Sequence, residues 1–301
     1  AWEGPLPLAV IDIADPVHPA VVGTCELPYP YSAVELALSG DRIYLIAHPI
    51  DEQQPALKPS SLYSLSISDP TAPVILDRID FDEPVAQLRL SGDRLYALGR
   101  SLGLVMVGAS PSGDLTMLGT FAVPEITEDY PGPWDISGTY AYVTYSSLVP
   151  GASGLSMRVV DTSDPAAPVV VADWLLPSPR GPLESLEVEG DRAYVTQYIP
   201  DSGFGPWGPF DCVVAVWDLS DPAAPVVLGA LVMRDLVARV EARAGSYLYA
   251  PTFVVAPRPA TTEPPLRAAA DQTERTGVWI IDVSDTSAPV KVGECPVPRA
   301  M

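Results

Sequence analysis

Two sets of aspartates recur along the chain at fixed spacings, and they are the first residues whose pattern could do chemistry. One set is Asp12, Asp161, Asp218 and Asp282; the other is Asp15, Asp69, Asp164, Asp221 and Asp285. Recurring carboxylates could ligate Ca²⁺, a hard cation held by oxygen. A third group, Glu35, Asp135 and Glu184, with Gln87 and Arg239 in related places, could line a polar channel mouth and hold a metal ion for hydrolase or lyase chemistry. Little else is reactive. His18 and His48 have no serine or cysteine beside them in a recognisable motif, so no catalytic triad is expected. Cys25, Cys212 and Cys295 are far apart and include no CxxC pair, which argues against a disulfide framework and a structural zinc site. There is no glycine-rich phosphate loop. Ca²⁺ apart, no cofactor is expected.

The aspartates are placed by a repeat. An apolar pentad is followed by a proline turn: Leu8 to Asp12 with Asp15-Pro16, then Leu62 to Ser66 with Asp69-Pro70. The copy at Leu104 to Gly108 is degenerate, and Pro111-Ser112-Gly113-Asp114 replaces its turn. Later copies are Met157 to Asp161 with Asp164-Pro165, Val214 to Asp218 with Asp221-Pro222, and Val278 to Asp282 with Asp285-Thr286. Gly23, Gly229 and Gly293 follow their turn aspartates at one fixed spacing, and Gly119 holds the same place in the degenerate copy. A second element alternates with the first. It begins as Ser39-Gly40-Asp41-Arg42-Ile43-Tyr44 and returns at Ser91 to Tyr96, Ser137 to Tyr142, Glu189 to Tyr194 and Ala244 to Tyr249.

Each element reads as a β-hairpin. Short apolar or aromatic runs with alternating pattern are strands. Gly-Asp between two of them suits a two-residue turn with glycine first at positive φ. Asp-Pro opens the other turn, because proline presets φ and aspartate bonds the backbone ahead. The recurring aspartates are therefore expected to stabilise turns, and the repeated tyrosines to pack on inner strands. Two hairpins make a four-stranded unit recurring every ~50 residues, the period of a β-propeller blade. The expected fold is all-β: five complete blades, about 32–79, 84–121, 131–176, 183–231 and 237–296, with an outer hairpin alone at 6–27. The Gly-Asp hairpin is taken as the inner pair. An inner hairpin beyond residue 301 is expected to complete the first blade, giving six blades in the parent protein, or seven.

The pentads resemble the LVIVD repeat of a β-propeller family. Leu8-Ala9-Val10-Ile11-Asp12 with Asp15-Pro16 is close to that signature, and Val278 to Asp282 with Ser284-Asp285 nearly so. The resemblance implies a bacterial or archaeal protein, extracellular or at the cell surface, with no shared catalytic residues. The third copy departs from the pattern. The strand carrying Arg239, Glu241 and Arg243 is polar where its counterparts are apolar, and a bulge or register shift is expected there.

Loop lengths suggest where binding occurs. From each turn aspartate to the next turn glycine the spacing is nearly constant. From that glycine to the next turn aspartate it varies, from the short Gly92–Pro111 interval to the long Gly245–Asp285 one. The variable loops, 46–61, 99–103, 146–155, 198–212 and 251–276, are expected on one face. Tyr198, Phe204, Trp207 and Phe210 among glycines and prolines suit a stiff contact surface for a protein or carbohydrate. Arg258 and Arg267 stand in the longest loop. The formal charge of −21 over 301 residues argues against nucleic acid and anionic lipid as partners. No apolar run reaches the ~18 residues of a membrane span. The leading expectation is a non-catalytic, exported binding or scaffold propeller. A metal-dependent hydrolase or lyase using Glu35, Asp135 and Glu184, and a purely architectural module of a larger surface protein, are the alternatives.

Overall fold

The computed structural model describes residues 7–27, 31–49, 59–99, 102–123, 132–147, 154–175, 183–200, 210–233, 236–254 and 277–296. Every described element is a strand, and every sheet is one predicted hairpin pair or one hairpin. A two-stranded sheet pairs β1 (Pro7–Asp12) with β2 (Ala20–Glu26). The first full blade runs β3 (Tyr31–Ser39), β4 (Arg42–Pro49), β5 (Ser61–Ser66) and β6 (Val74–Asp80). The second runs β7 (Val85–Ser91), β8 (Arg94–Gly99), β9 (Gly103–Ala109) and β10 (Leu115–Phe121). The third holds β11 (Trp134–Ser137), β12 (Tyr140–Ser147), β13 (Gly154–Asp161) and β14 (Val169–Leu175). The fourth holds β15 (Leu183–Glu189), β16 (Arg192–Pro200), β17 (Phe210–Asp218) and β18 (Val226–Met233). In the fifth, the innermost strand is split into β19 (Leu236–Ala238) and β20 (Ala242–Ala244), which both pair with β21 (Tyr247–Val254), followed by β22 (Gly277–Asp282) and β23 (Val290–Pro296). The polar residues Arg239 and Glu241 lie in that break.

The chain forms two compact units, residues 1–131 with 161–169, and residues 132–160 with 170–301. Within each, the cores lie between neighbouring blades. Tyr44 and Ile46 of the first blade pack with Leu88, Leu95, Val105 and Val107 of the second. Tyr142 and Met157 pack with Leu186, Val195 and Trp217, and Tyr194 with Leu248, Ile281 and Val283. A tyrosine of one inner hairpin thus seals the next blade, which is how thin four-stranded units bury a core by stacking.

The turns carry out the chemistry the sequence assigns them. Ser39 pairs with Arg42 across Gly40-Asp41, and all five turn glycines have positive φ, 57° to 63°. In the proline turns, Asp15, Asp69, Asp164, Asp221 and Asp285 each accept the i+3 backbone N–H through the carbonyl and the i+2 N–H through Oδ1. Asp12, Asp161, Asp218 and Asp282 accept the N–H two residues ahead in the same way.

The glycines after these turns have a reason that the sequence conceals. Each outer strand that carries such a glycine bulges one residue before it, as at Val216/Trp217 opposite Gly229. The bulge brings the strand against the next blade's proline turn. A Cβ on Gly23 would overlap the carbonyl of Pro70, one on Gly119 that of Pro165, and one on Gly229 would lie 2.5 Å from the Ser287 oxygen. The first full blade has Asp77, and the third Ala172, where the other copies have glycine. The Asp77 Oδ2 accepts the Leu115 N–H at 2.7 Å, beside the second blade's altered Ser110–Asp114 turn. Asp77 and that altered turn, two departures from the repeat, fit each other.

The turn carboxylates also fix an acid response. Asp69, Asp114 and Asp285 are held below the usual carboxylate range first by the hydroxyls of Thr71, Ser112 and Ser287. Asp15 is held down first by His18, and Asp218 by the Ser220 N–H. A group with a depressed folded-state pKa contributes stability above its unfolded value and loses it as pH falls through the folded one. Thermal melts are expected to be flat from neutral pH down to about 5 and to drop below about 4. Replacing Asp69 and Asp285 with asparagine should flatten the acid limb; an unchanged limb would contradict this origin.

Candidate binding end of the blades and the inner-strand acids

Within each blade, the Gly-turn and the proline turn lie at one end, and the connection from second to third strand lies at the other. At the turn end the hairpins repeat one pattern, the second blade's Ser110–Asp114 turn excepted. At the connection end they do not: β8 and β9 almost meet at Gly99 and Gly103, whereas β21 ends at Val254 and β22 begins at Gly277. The fourth blade extends furthest as paired strand. β16 and β17 are nine residues each, and their register runs to Tyr198 opposite Cys212 and Pro200 opposite Phe210. Tyr198 and Phe210, read from sequence as loop residues, are therefore strand residues, because the ladder continues past the conserved-length part of the hairpin. Their side chains, and Phe204, Trp207, Arg258 and Arg267 altogether, lie outside the described residues.

Residues that the sequence did not single out form a polar cluster at this end of the third blade. Arg158 lies over the Tyr145 ring, 5.1 Å from its centroid, and its Nη2 is 2.5 Å from Asp173 Oδ2. The Tyr145 hydroxyl donates to Asp173 Oδ1. Burial, then the Asp173 contact, pushes that hydroxyl up to about 12, so it stays a neutral donor. The first blade repeats the idea with Arg78 over Tyr63 at 5.5 Å, and Asp80 accepting from Arg78 and from the Ser61 hydroxyl. Such pairs hold a cation and an aromatic face in fixed geometry. Adjacent residues in sequence do not announce them, since the partners sit on three strands in the third blade and on two in the first.

The three candidate metal-ligating acids have protein neighbours. Glu35 accepts the Leu88 N–H at 2.5 Å and pairs with Arg89 at 2.6 Å. Asp135, only 8% exposed, accepts the Val188 N–H at 2.5 Å. Both acids thus supply an acceptor to the open edge of the following blade's innermost strand, β7 or β15. Glu184 sits at a bulge between Leu183 and Ser185. Burial raises its pKa, with the Arg239 charge opposing. Among the described residues no group of three or more His, Cys, Asp and Glu is placed to share a metal ion.

His48 corrects one expectation. It lies in β4, not in a loop, and its Nδ1 is 2.8 Å from the Ser60 hydroxyl. The approach brings together residues near the two ends of the 46–61 segment, so no local motif reveals it. Ser60 is 1% exposed, and its Oγ also accepts the Val85 N–H at 2.6 Å. The pair acts as a clasp between the first two blades of the first unit. The cysteines are free thiols: Cys25 partly buried, Cys212 buried and Cys295 exposed. Burial raises the Cys212 thiol to about 12, and its Sγ approaches the Ala238 carbonyl at 3.4 Å.

Five four-stranded antiparallel blades and a single outer hairpin define a β-propeller module. The sequence profile of the LVIVD repeat matches residues 7–26 and 270–297, so the chain carries LVIVD repeats. Both matches cover an outer hairpin with its aspartate turn, β1–β2 and β22–β23. No curated protein sequence matches the chain. Among solved structures, the N-terminal domain of Nup159 aligns at 11% identity and TM-score 0.43, covering 92% of this chain and 78% of that one. A chain from an S. cerevisiae complex of Dbp5 with Nup159, Gle1, IP6 and ADP aligns at 11% identity and TM-score 0.41, with the same coverage. Superpositions this loose carry no information about the site.

Proposed function

We propose that this propeller module is a non-catalytic, exported binding module that engages a protein or carbohydrate partner through the connection end of its blades. The observation that carries the reading is the contrast between the two blade ends. One end repeats the same turns in every blade but the second, held by the same aspartate bonds. The other end changes length in every blade, and a rigid scaffold with variable loops at one end is the usual arrangement of a binding surface. The paired extension of β16 and β17 supports it, because it carries the ladder as far as Pro200 and Phe210, on either side of the segment that holds Phe204 and Trp207 in sequence. The acidic charge of −21 favours a neutral or cationic partner. Export and a place outside the cell follow from the LVIVD resemblance and form part of the same proposal.

The test replaces residues 201–209 with Asn-Gly, a turn that closes the Pro200–Phe210 pair as a two-residue hairpin. The parent and shortened chains are compared on a glycan panel and in cross-linking capture from the source organism's surface fraction. Partner capture is expected to fall about tenfold or more while the melting curve stays in place. Undiminished capture by the shortened chain would put the binding surface elsewhere.

A further inference from the structure

Three of the innermost strands bulge at one repeated place near the connection end. β3 shifts register between Ala33 and Glu35, β7 between Val85 and Gln87, and β15 between Leu183 and Ser185. The extra residue is Val34 in the first blade, Ala86 in the second and Glu184 in the fourth. At the same distance before its turn glycine the fifth blade has Arg239, in the break between β19 and β20. The fourth and fifth blades thus set a carboxylate and a guanidinium where the first two have valine and alanine. A bulge is a device for aiming a side chain out of a strand.

Other groups here do the structural task of the inner-strand acids. Glu35 and Asp135 each accept an amide from the next blade's innermost strand. Between the fourth and fifth blades that amide belongs to Val240, and it meets the Ser185 Oγ at 3.2 Å and the Thr196 Oγ1 at 3.3 Å. Both hydroxyls are buried, and Ser185 donates to Thr196 at 2.9 Å. Glu184 stands beside this clasp, partly buried. Burial acts against its charge, and Arg239 opposes that effect. The Cys212 thiol is the other titratable group within its field. Arg239 is itself engaged, with Nε 3.1 Å from Glu241 Oε1. Two carboxylates therefore share one guanidinium, in a chain of charge −21. A desolvated carboxylate that ties no strand is kept against the fold's own preference, which is the mark of a binding group.

We propose that Glu184 holds a primary ammonium group at the inner edge of the fourth and fifth blades. The local excess of negative charge selects a cation. A divalent metal fits poorly, since it takes six or more oxygen ligands. Among the described residues no three His, Cys, Asp or Glu side chains converge to supply them. An ammonium carries one charge and three N–H donors, which one carboxylate and water can satisfy. Arg239 and Glu241, 58% and 51% exposed, leave the approach open to solvent. A free amine and a lysine side chain present the same group. The site lies at the same end as the proposed partner surface but does not rest on it, because it is read without any partner.

The experiment follows amide resonances of the intact chain, labelled with nitrogen-15, during titration with n-butylammonium at constant ionic strength. Residues 183–186 and 238–241 are expected to shift saturably. Sodium, and tetramethylammonium, which has no N–H, are expected to leave them in place. Glu184→Gln is expected to abolish the shifts and to raise the melting temperature by about 2–4 °C, the opposite of losing a structural acid. Arg239→Gln, which removes the competing cation, is expected to tighten binding about threefold or more. Acetyl-Gly-Lys-Gly-amide separates the two sources. Binding in the same concentration range would admit a protein lysine, and its failure beside n-butylammonium would assign the site to a free amine. Shifts that tetramethylammonium reproduces, or that survive in Glu184→Gln, would mean adventitious cations on an acidic chain and overturn the proposal. So would a Glu184→Gln chain that melts below the parent.

Discussion

Gly229→Ala is expected to lower the melting temperature by roughly 5–10 °C, about 3 kcal/mol of stability, although it adds one methyl group to a partly exposed strand. The new Cβ would stand 2.5 Å from the Ser287 oxygen and 2.6 Å from both the Ser287 carbon and the Thr286 oxygen. All three are backbone atoms of the fifth blade's turn. That turn is fixed by Asp285, whose carbonyl binds the Ala288 N–H and whose Oδ1 binds the Ser287 N–H and hydroxyl. No side chain can rotate away, so either the bulge beside Leu228 or the whole turn must shift. Gly293→Ala supplies the control. It is the same repeat position one blade on, but its Cβ would meet only the flexible Ile280 side chain, at 3.3 Å. A loss under about 1 kcal/mol is expected there. Equal losses in calorimetry would mean that both glycines serve strand flexibility, and that the close approach to the turn is not what selects them.

This pair also marks how far the sequence can be read. The hairpins, their order and the broken inner strand at Arg239 were legible, because each depends on a few neighbouring residues. Gly40 needs positive φ, Asp15 bonds two residues ahead, and proline cannot donate to a ladder. The fixed spacing of Gly23, Gly229 and Gly293 was also visible, but its cause was not. The atoms that exclude a Cβ at Gly23 and Gly229 belong to the next blade's turn, roughly 50 residues away in sequence, a separation no local pattern encodes. Asp77 shows the same limit: it looks like a lapse in the repeat until Leu115 is seen beside it. The site suffered most. The aromatics at 198–212 stand out by composition alone, whereas Tyr145, Arg158 and Asp173 come together only after three strands have paired. His48 and Ser60 meet only because β4 and β5 lie side by side.

Asp135→Ala is expected to cost about 2–3 kcal/mol, the range for removing a charged acceptor from a part-buried donor. It tests what the inner-strand acids are for. A ligand-binding carboxylate should be dispensable for stability, and often costs stability by its burial. Asp135 instead accepts the Val188 N–H, on the edge of β15 that faces away from β16, and it is 8% exposed. Without it, that donor has no protein acceptor in place and little water to replace it. Asp135→Asn keeps an oxygen at the same position and is expected to recover roughly half of the loss, since the bond becomes neutral. Glu35→Ala should cost less, near 1 kcal/mol, because the Glu35 and Arg89 side chains remain about 30% exposed and screened by solvent. The order Asp135→Ala, then Asp135→Asn, then Glu35→Ala in chemical denaturation is the signature of acids that tie one blade to the next. If Asp135→Ala instead raises the midpoint, the carboxylate is strained in place. An acid kept at a cost to the fold is one held for a ligand, and the metal-site reading of Glu35, Asp135 and Glu184 would regain its ground.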